Sequence, residues 1–434
     1  MNELSIGLIG IGVLLLLFIM RMPVAFAMAL VGFLGTACID GFDIAFYMMG
    51  TIPFRQVYSY SLSVVPLFIL MGFFVFYSGV SRDIFDTAYV WLGRLPGGVA
   101  IATIGACTGF AAACGSNTAT AATMAAIAMP EMKRFDYEKG FAGATVAAGA
   151  TLGILIPPSV ILILYGMLVE QSIGELFIAG IFPGILLAIL MGLTLYIQVR
   201  LNPRLGPKGP KTSFKEKILS LKGTIGMVAL FLLVMGGIVK GLFTPTEGGG
   251  IGAFGAFLLL LLKKQLTWTN FIDALIASGR TTGMIFMLVI GAFVFGYFMA
   301  VCKIPMELAN FVSGLVLPSH LSFAGIMFIY LVLGCFIESL ALFLLTTPIF
   351  YPVVVSVLGY DPIWFGVMMV LVVSMGVITP PVGINVFIVH GVATDVPIVA
   401  IFKRIYPLLG AIFACIALLM IFPQIALFLP TYFK

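Results

Sequence analysis

Two short stretches concentrate the polar oxygen atoms of an otherwise apolar chain: Gly115-Ser116-Asn117-Thr118 and Ile337-Glu338-Ser339-Leu340. Hydroxyls, an amide and a carboxylate are oxygen ligands of the kind a hard monovalent cation takes. Two further motifs follow them. Gly-Ile-Leu-Ile-Pro-Pro at 153–158 recurs as Gly-Val-Ile-Thr-Pro-Pro at 376–381, about half a chain away. Each proline removes a backbone donor and exposes carbonyls within an apolar segment. At membrane depth such breaks are tolerated where they line a cavity or meet an ion. Their carbonyls suit a cation, and the N-terminal ends of half-helices suit a carboxylate. The plainer reading is that Ser116, Asn117 and Thr118 cap a helix and that the double prolines only kink one. Glu338 is a carboxylate inside an apolar run, a functional position by default; the alternatives are a helix cap or a place near the mouth of a hairpin.

The pairing of these features in one order argues for an internal repeat. Asn117 stands thirteen residues before Pro130 and Ser339 thirteen before Pro352, and Pro183 pairs with Pro407 after one inserted residue. Each half therefore supplies a polar tip and then a Pro-Pro break.

The elements that position them are membrane spans. The 434 residues are 62% hydrophobic and 9% charged, against roughly a quarter charged in a soluble chain. Spans of about 20 residues leave room for on the order of ten to twelve segments, and the unbroken apolar runs lack the alternation of a barrel. Runs at 4–20, 23–39, 62–80, 140–169 and 176–199, with a Gly/Ala-rich stretch over 97–129, fill the first half. Runs at 224–243, 248–262, 283–302, 322–352, 362–390 and 405–429 fill the second. Segments 43–60 and 267–282 are too polar to span and read as interfacial arms.

Charge sets the orientation. The linker 200–223 carries Arg200, Arg204, Lys208, Lys211, Lys215, Lys217 and Lys222 against Glu216 alone, which places it in the cytoplasm. The same bias puts Arg21, Arg82, Arg94, Lys133, Arg134, Lys139, Lys263, Lys264, Lys403 and Arg404 inside, with Asp40, Asp43, Glu170, Glu175, Glu307 and Asp361 outside. Arg94 and Lys133 then flank 97–130 on one side, which makes that stretch a re-entrant hairpin, and 322–352 returns to the opposite face. The expected fold is an all-α polytopic membrane protein with inverted repeats at 1–199 and 224–434, each holding a re-entrant hairpin and a Pro-Pro-broken helix (140–169 and 362–390). This architecture suits alternating access around a central site.

Other chemistry is poorly supplied. A net charge of +5 placed at the ends of apolar runs is a topology signal and points away from nucleic acid. The six cysteines lack CxxC spacing and read as buried thiols. The two histidines, His320 and His390, have no carboxylate cluster near them in sequence. No HExxH, GxSxG or P-loop occurs, so neither an enzyme nor an ATPase is expected. Thr244-Pro245-Thr246-Glu247 fits a capping box with proline at the first helical position.

At Gly115-Ser116-Asn117-Thr118, Thr151–Ser159, Phe243–Glu247 and Met375–Asn385 the sequence resembles the large membrane subunit of TRAP transporters, tripartite ATP-independent periplasmic importers. The matches spread over nearly the whole chain. The resemblance implies a multi-pass protein of the bacterial inner membrane that imports a small organic acid with sodium by an elevator movement and holds no organic cofactor. It implies sodium ligands at Ser116, Asn117, Gly153 and Pro157 and at Glu338, Ser339, Gly376 and Thr379, with substrate near Thr118, Ser159, Pro381 and Asn385. It also implies two partners besides the lipid bilayer, a small four-span membrane subunit and a periplasmic substrate-binding protein. The chain ends at Lys434 without extra spans, so the small subunit is expected as a separate polypeptide. The competing expectation is a stand-alone sodium/dicarboxylate-type carrier that needs no binding protein.

Overall fold

The computed structural model describes residues 2–210, 212–315 and 317–433, so Lys211 and Lys434 lie outside the described residues. The described chain is helical throughout and contains no strand. Its first part runs α1 (Glu3–Ile19), α2 (Val24–Asp40), α3 (Phe42–Val57), α4 (Val64–Tyr77), α5 (Val80–Leu92), α6 (Gly98–Cys114), α7 (Asn117–Arg134), α8 (Lys139–Gly149), α9 (Val160–Leu168) and α10 (Ile173–Leu201). The second runs α11 (Phe214–Val239), α12 (Pro245–Leu262), α13 (Trp268–Val301), α14 (Ile304–Gly314), α15 (Ser319–Gly334), α16 (Ser339–Tyr351), α17 (Pro362–Gly376), α18 (Ile384–Val392), α19 (Ile398–Ile421) and α20 (Gln424–Tyr432). Among the described residues, seven helical segments are long and apolar enough to cross a membrane: Tyr60–Tyr77, α10, α11, α12, α13, Ser339–Val357 and α19.

The broken elements are short for a chemical reason. α8 ends at Gly149, a single tighter turn covers Ala150–Ile154, and Pro157-Pro158 follows before α9 restarts. At about 1.5 Å per residue, neither the 11 residues of α8 nor the 9 of α9 span a hydrocarbon core of about 30 Å. α17 and α18 repeat this around Pro380-Pro381, and both Pro-Pro bonds are cis. α8 is buried on all sides from Gly140 to Gly149, and α17 nearly so. Such helices belong to the interior of a larger body.

Packing divides the chain into two groups. α2 lies along α13 and α4 along α12, with α1, α3, α5, α11 and α14 attached to them. The second group is built from α6–α10 and α15–α20, with α8 along α19, α10 against α19 and α20, and α15 against α17. Within it each broken half-helix packs on the other repeat's helical pair: α9 on α16, and α18 on α7.

Positions assigned by charge to the cytoplasm gather at one end. Asp83 pairs with Lys263, Trp91 Nε1 donates to Lys217 O at 3.1 Å, and Gly209 N donates to Gly93 O at 2.9 Å. The backbone N of Glu138 donates to Leu205 O at 3.1 Å. Asp395 takes Lys133 at 2.9 Å and Lys139 at 3.2 Å, and Glu138 takes Arg404 at 3.1 Å.

Some elements differ from expectation. The arm 267–282 is not a separate element: no proline interrupts Trp268–Val301, and arm and span form one helix of 34 residues. The linker is helical from Phe214 onward, started by a capping box between Ser213 and Glu216. α5 and α14 fall in stretches where no apolar run marks a span. Their amphipathic faces serve the boundary between the two groups, α5 against α6 and α14 against the turn that follows α16. Cys38 is exposed and Cys114 half-buried, whereas the other four cysteines are buried. The Thr244–Glu247 capping box is present with both of its hydrogen bonds.

Candidate substrate and ion site

The α6–α7 connection is two residues long. Gly115, with φ 61°, ends α6 in a left-handed turn, a conformation that favours glycine. A Cβ there would also stand 2.5 Å from Pro158 O. Ser116 then caps α7, its Oγ accepting from Ala119 N at 3.4 Å and lying 3.0 Å from Thr118 Oγ1. Asn117 Oδ1 accepts from Thr118 N at 2.9 Å. In the second repeat Glu338 caps α16, one carboxylate oxygen accepting from Leu340 N at 3.1 Å and Ala341 N at 3.2 Å. Glu338 thus sits at the tip turn and not at the open end of the α15–α16 pair.

The two tips meet. Asn117 Nδ2 donates to Ser339 Oγ at 3.4 Å across 222 residues of sequence, and both side chains are buried. Each is the first residue of its helix, so the positive ends of α7 and α16 converge on one place.

Each break glycine presses on its own helical pair. A Cβ on Gly153 would stand 2.5 Å from Ser116 O and 2.7 Å from Thr120 Oγ1, and one on Gly376 would stand 2.6 Å from the carbonyl carbon of Gly334. The absence of a side chain lets the first tip's carbonyl and the second pair's last helical carbonyl reach the breaks.

The remaining predicted residues are dispersed around this centre. Pro157 and the whole first break are buried. Ser159 turns its hydroxyl to Ile154 O at 2.5 Å and caps α9 by accepting from Leu162 N at 3.4 Å. Thr379 donates to Met375 O at 2.7 Å, and Pro381 is exposed; among the described residues no hydrogen bond joins Thr379 to the second tip. Asn385 is fully buried and crosses repeats, Nδ2 donating to Ala147 O at 3.2 Å, while its Oδ1 has no partner among the described residues. A buried orphan acceptor marks a place for water, an ion or a ligand donor. No cluster of three metal-ligating side chains exists among the described residues.

Sequence reasoning missed a third paired position. Glu138 and Asp361 each stand fifteen residues before the break glycine, each after a tyrosine. Both cap the helix leading to the break: Glu138 accepts from Gly140 N and Phe141 N, Asp361 from Ile363 N and Trp364 N. The tyrosines tie back to the start of each helical pair, Tyr137 OH accepting from Val99 N at 3.2 Å and Tyr360 OH lying 2.7 Å from His320 Nδ1. The doubled Tyr-acid pair was the available signal, obscured because Glu and Asp differ and proline follows only one.

A polytopic helical protein with paired tips and paired helix breaks has the build of a membrane transporter, and solved transporter structures share its fold. The structure of MtrF from Neisseria gonorrhoeae, described as an antimetabolite efflux pump, covers 88% of this chain and 85% of its own at TM-score 0.54 and 15% identity. The YdaH transporter of Alcanivorax borkumensis covers 91% and 89% at TM-score 0.57 and 14% identity. The family model described as tripartite ATP-independent periplasmic transporter, DctM component, matches residues 11–425, and the chain belongs to that family. It is 34% identical over 374 residues to the C4-dicarboxylate TRAP transporter large permease protein of Pseudomonas aeruginosa, covering 86% of this chain and 87% of that one. To the sialic acid TRAP transporter large permease protein of Vibrio cholerae it is 34% identical over 376 residues, with the same coverage of 86% and 87%. The isethionate TRAP transporter permease protein of Oleidesulfovibrio alaskensis is 32% identical over 420 residues, 96% of this chain and 65% of that one.

Proposed function

We propose that this chain is the large membrane subunit of a tripartite importer of the bacterial inner membrane that carries a small organic acid on a sodium gradient. The contact between Asn117 and Ser339 carries the reading, since it joins the two predicted tips, and with them two helix N-termini, at one place. Helix N-termini favour a substrate carboxylate, while the exposed carbonyls of the adjoining breaks favour sodium. Ser116, Asn117, Gly153 and Pro157 serve the first ion, and Glu338, Ser339, Gly376 and Thr379 the second. Substrate lies near Thr118, Ser159, Pro381 and Asn385.

The helical pairs α6–α7 and α15–α16 re-enter the bilayer from opposite faces. The body that contains them slides against the group built on α2, α4, α12 and α13. An apolar cleft of about 340 Å³ along that boundary, between α1, α14 and the α15–α16 pair, supports the movement. A small four-span membrane subunit and a periplasmic binding protein complete the system. Relatives named for C4-dicarboxylates, sialic acid and isethionate support a small organic anion as the cargo.

Co-reconstitution with the small subunit in proteoliposomes tests this. Uptake of a radiolabelled organic acid should require an inward sodium gradient and the binding protein, and should be lost in Asn117→Ala and in Ser339→Ala. Uptake indifferent to sodium overturns the ion assignment; uptake without the binding protein overturns the tripartite reading.

A further inference from the structure

The cleft between α1, α14 and the α15–α16 pair is lined by apolar residues apart from Glu307 and Thr346. Thr346 spends its hydroxyl within its own helix, donating to Leu342 O at 2.7 Å. Along α1 the wall runs through Leu4, Leu8, Ile11 and Leu15. At about 1.5 Å per residue the distance from Leu4 to Leu15 is roughly 16 Å, close to half of a hydrocarbon core of about 30 Å. The cleft is therefore one leaflet deep. Charge gathers at one of its ends only. Glu3, next to Leu4, pairs with Lys303 at 2.8 Å, and Glu307 stands one turn further along, in the first turn of α14. The Glu307 side chain is exposed and makes no hydrogen bond or ion pair among the described residues. The charge pattern of the sequence assigns this end to the outside.

We propose that the cleft binds one acyl chain of an outer-leaflet phospholipid whose headgroup carries a primary ammonium, phosphatidylethanolamine, and that this lipid holds the α15–α16 pair against α1 and α14. What fills the cleft must be apolar, because a polar group there would find no hydrogen-bond partner. It must also be narrow. A helix about 10 Å across would take roughly 1,200 Å³ over the same length, several times the cleft volume of about 340 Å³, so a partner helix can lie over the cleft but not fill it. The mouth selects the headgroup. Two carboxylates, Glu3 and Glu307, against the single ammonium of Lys303 leave a net negative charge, which disfavours a headgroup that is only anionic. An ethanolamine headgroup offers its phosphate to Lys303 and its N–H donors to Glu307, a charge-assisted hydrogen bond that choline, which has no N–H, cannot make. The effect crosses a boundary, since α1 and α14 belong to one packing group and α15–α16 to the other. The acyl chain supplies both walls with the dispersion contacts that an unfilled gap would forfeit.

The complex of this chain with its small membrane subunit is delipidated in detergent and titrated with phosphatidylethanolamine, phosphatidylcholine and phosphatidylglycerol bearing identical acyl chains, without sodium or cargo. Native mass spectrometry counts the bound lipids, and thermal denaturation reads the stabilisation. The wild type should retain one phosphatidylethanolamine per copy of this chain, about tenfold more tightly than either other lipid, the size of one charge-assisted hydrogen bond. Glu307→Gln should remove that preference while leaving one lipid bound. Leu8→Trp, which adds bulk to the cleft wall at a position 58% exposed, should weaken binding of all three lipids. Leu232→Trp, 62% exposed on α11 and outside the cleft, should change nothing. Absence of a retained lipid, equal retention of the three by the wild type, an unchanged preference in Glu307→Gln, or a Leu8→Trp protein that behaves like Leu232→Trp overturns the proposal. Binding that emerges only when the small subunit is stripped away overturns it as well, by assigning the cleft to that subunit. Neither sodium nor cargo enters the measurement, so these outcomes are separate from those that test the transport reading.

Discussion

The approach of Gly153 to the first tip can be tested with one methyl group. In Gly153→Ala the new Cβ lies 2.5 Å from Ser116 O and 2.7 Å from Thr120 Oγ1, roughly 1 Å inside the 3.5–4.0 Å at which non-bonded atoms rest. The first of these atoms is backbone, and Thr120 is held by its own bond to Ser116 O at 2.7 Å, so neither yields by a simple rotation. Overpacking of this kind costs about 1–3 kcal/mol. Gly153 lies in a short tighter turn and not in a helix interior, so the usual helical gain of alanine over glycine offsets little of it. If about 2 kcal/mol falls on the proposed ion-binding arrangement, sodium half-saturation of uptake rises roughly thirtyfold, at about 1.4 kcal/mol per decade. Gly376→Ala, whose Cβ lies 2.6 Å from the carbonyl carbon of Gly334, should raise it comparably. Gly250→Ala, in α12 with nothing within 4 Å of the added carbon, should leave it unchanged. The assay is initial-rate uptake against sodium concentration, with thermal stability measured in parallel. A Gly153→Ala protein with wild-type half-saturation and stability would refute the argument that the missing side chain shapes the tip.

Two further outcomes follow from the end of the molecule where the basic residues gather. Glu138→Ala removes a helix cap as well as a partner of Arg404, so it should destabilise by about 1–2 kcal/mol, more than Arg404→Ala, which loses a half-exposed ion pair of at most about 1 kcal/mol. Glu138→Gln, which keeps a capping oxygen, should fall near Arg404→Ala in chemical denaturation, and a reversed order would refute the cap. Hydrogen bonds from Lys133 and Lys139 hold the Asp395 carboxyl below the ordinary value of 3.8. Its contribution is present above that value and lost only as pH falls through the lower folded-state value. Asp395→Asn should therefore lower thermal stability at pH 7, and the difference from wild type should shrink only once pH falls below 3.8 through the lowered folded-state value. A difference from wild type that is absent at pH 7 would show that the lysines do not act through the charged carboxylate.

The elements legible in the sequence were those whose cause is local. A Pro-Pro pair ends a helix wherever it falls, Thr244 and Glu247 cap α12 within one turn, and charge asymmetry orders the ends of spans without knowledge of packing. The arm at 267–282 shows the limit: polarity separates it from the following span, but only a turn residue would separate it in space, and the sequence supplies none. α5 and α14 were unreadable as spans because they are not spans; their role depends on what packs beside them. At the site, the halves of the motif were readable one at a time. That Asn117 touches Ser339 depends on how the two repeats are placed, which no spacing within either repeat specifies. The same holds for Asn385, whose amide reaches Ala147 on a helix 238 residues away in sequence.

The repeat and its exceptions separate what the fold requires from what the cargo requires. Break glycines, Pro-Pro pairs, acidic caps at Glu138 and Asp361 and tip residues at Asn117 and Ser339 occur in both halves because each half must end its helices and bring carbonyls to a tip. Requirements of that kind are met twice. A substrate that is not itself two-fold symmetric can be held in one orientation only if the matched halves differ where they meet it. The departures lie there: Ser116 opposite Glu338, a buried first break opposite the exposed Pro381, and Asn385, whose counterpart by the same spacing is Leu162. Substitutions at matched positions should therefore damage both ion and acid dependence, whereas a substitution at the exposed Pro381, which removes no helix cap and no cross-repeat hydrogen bond, should change which acid is carried.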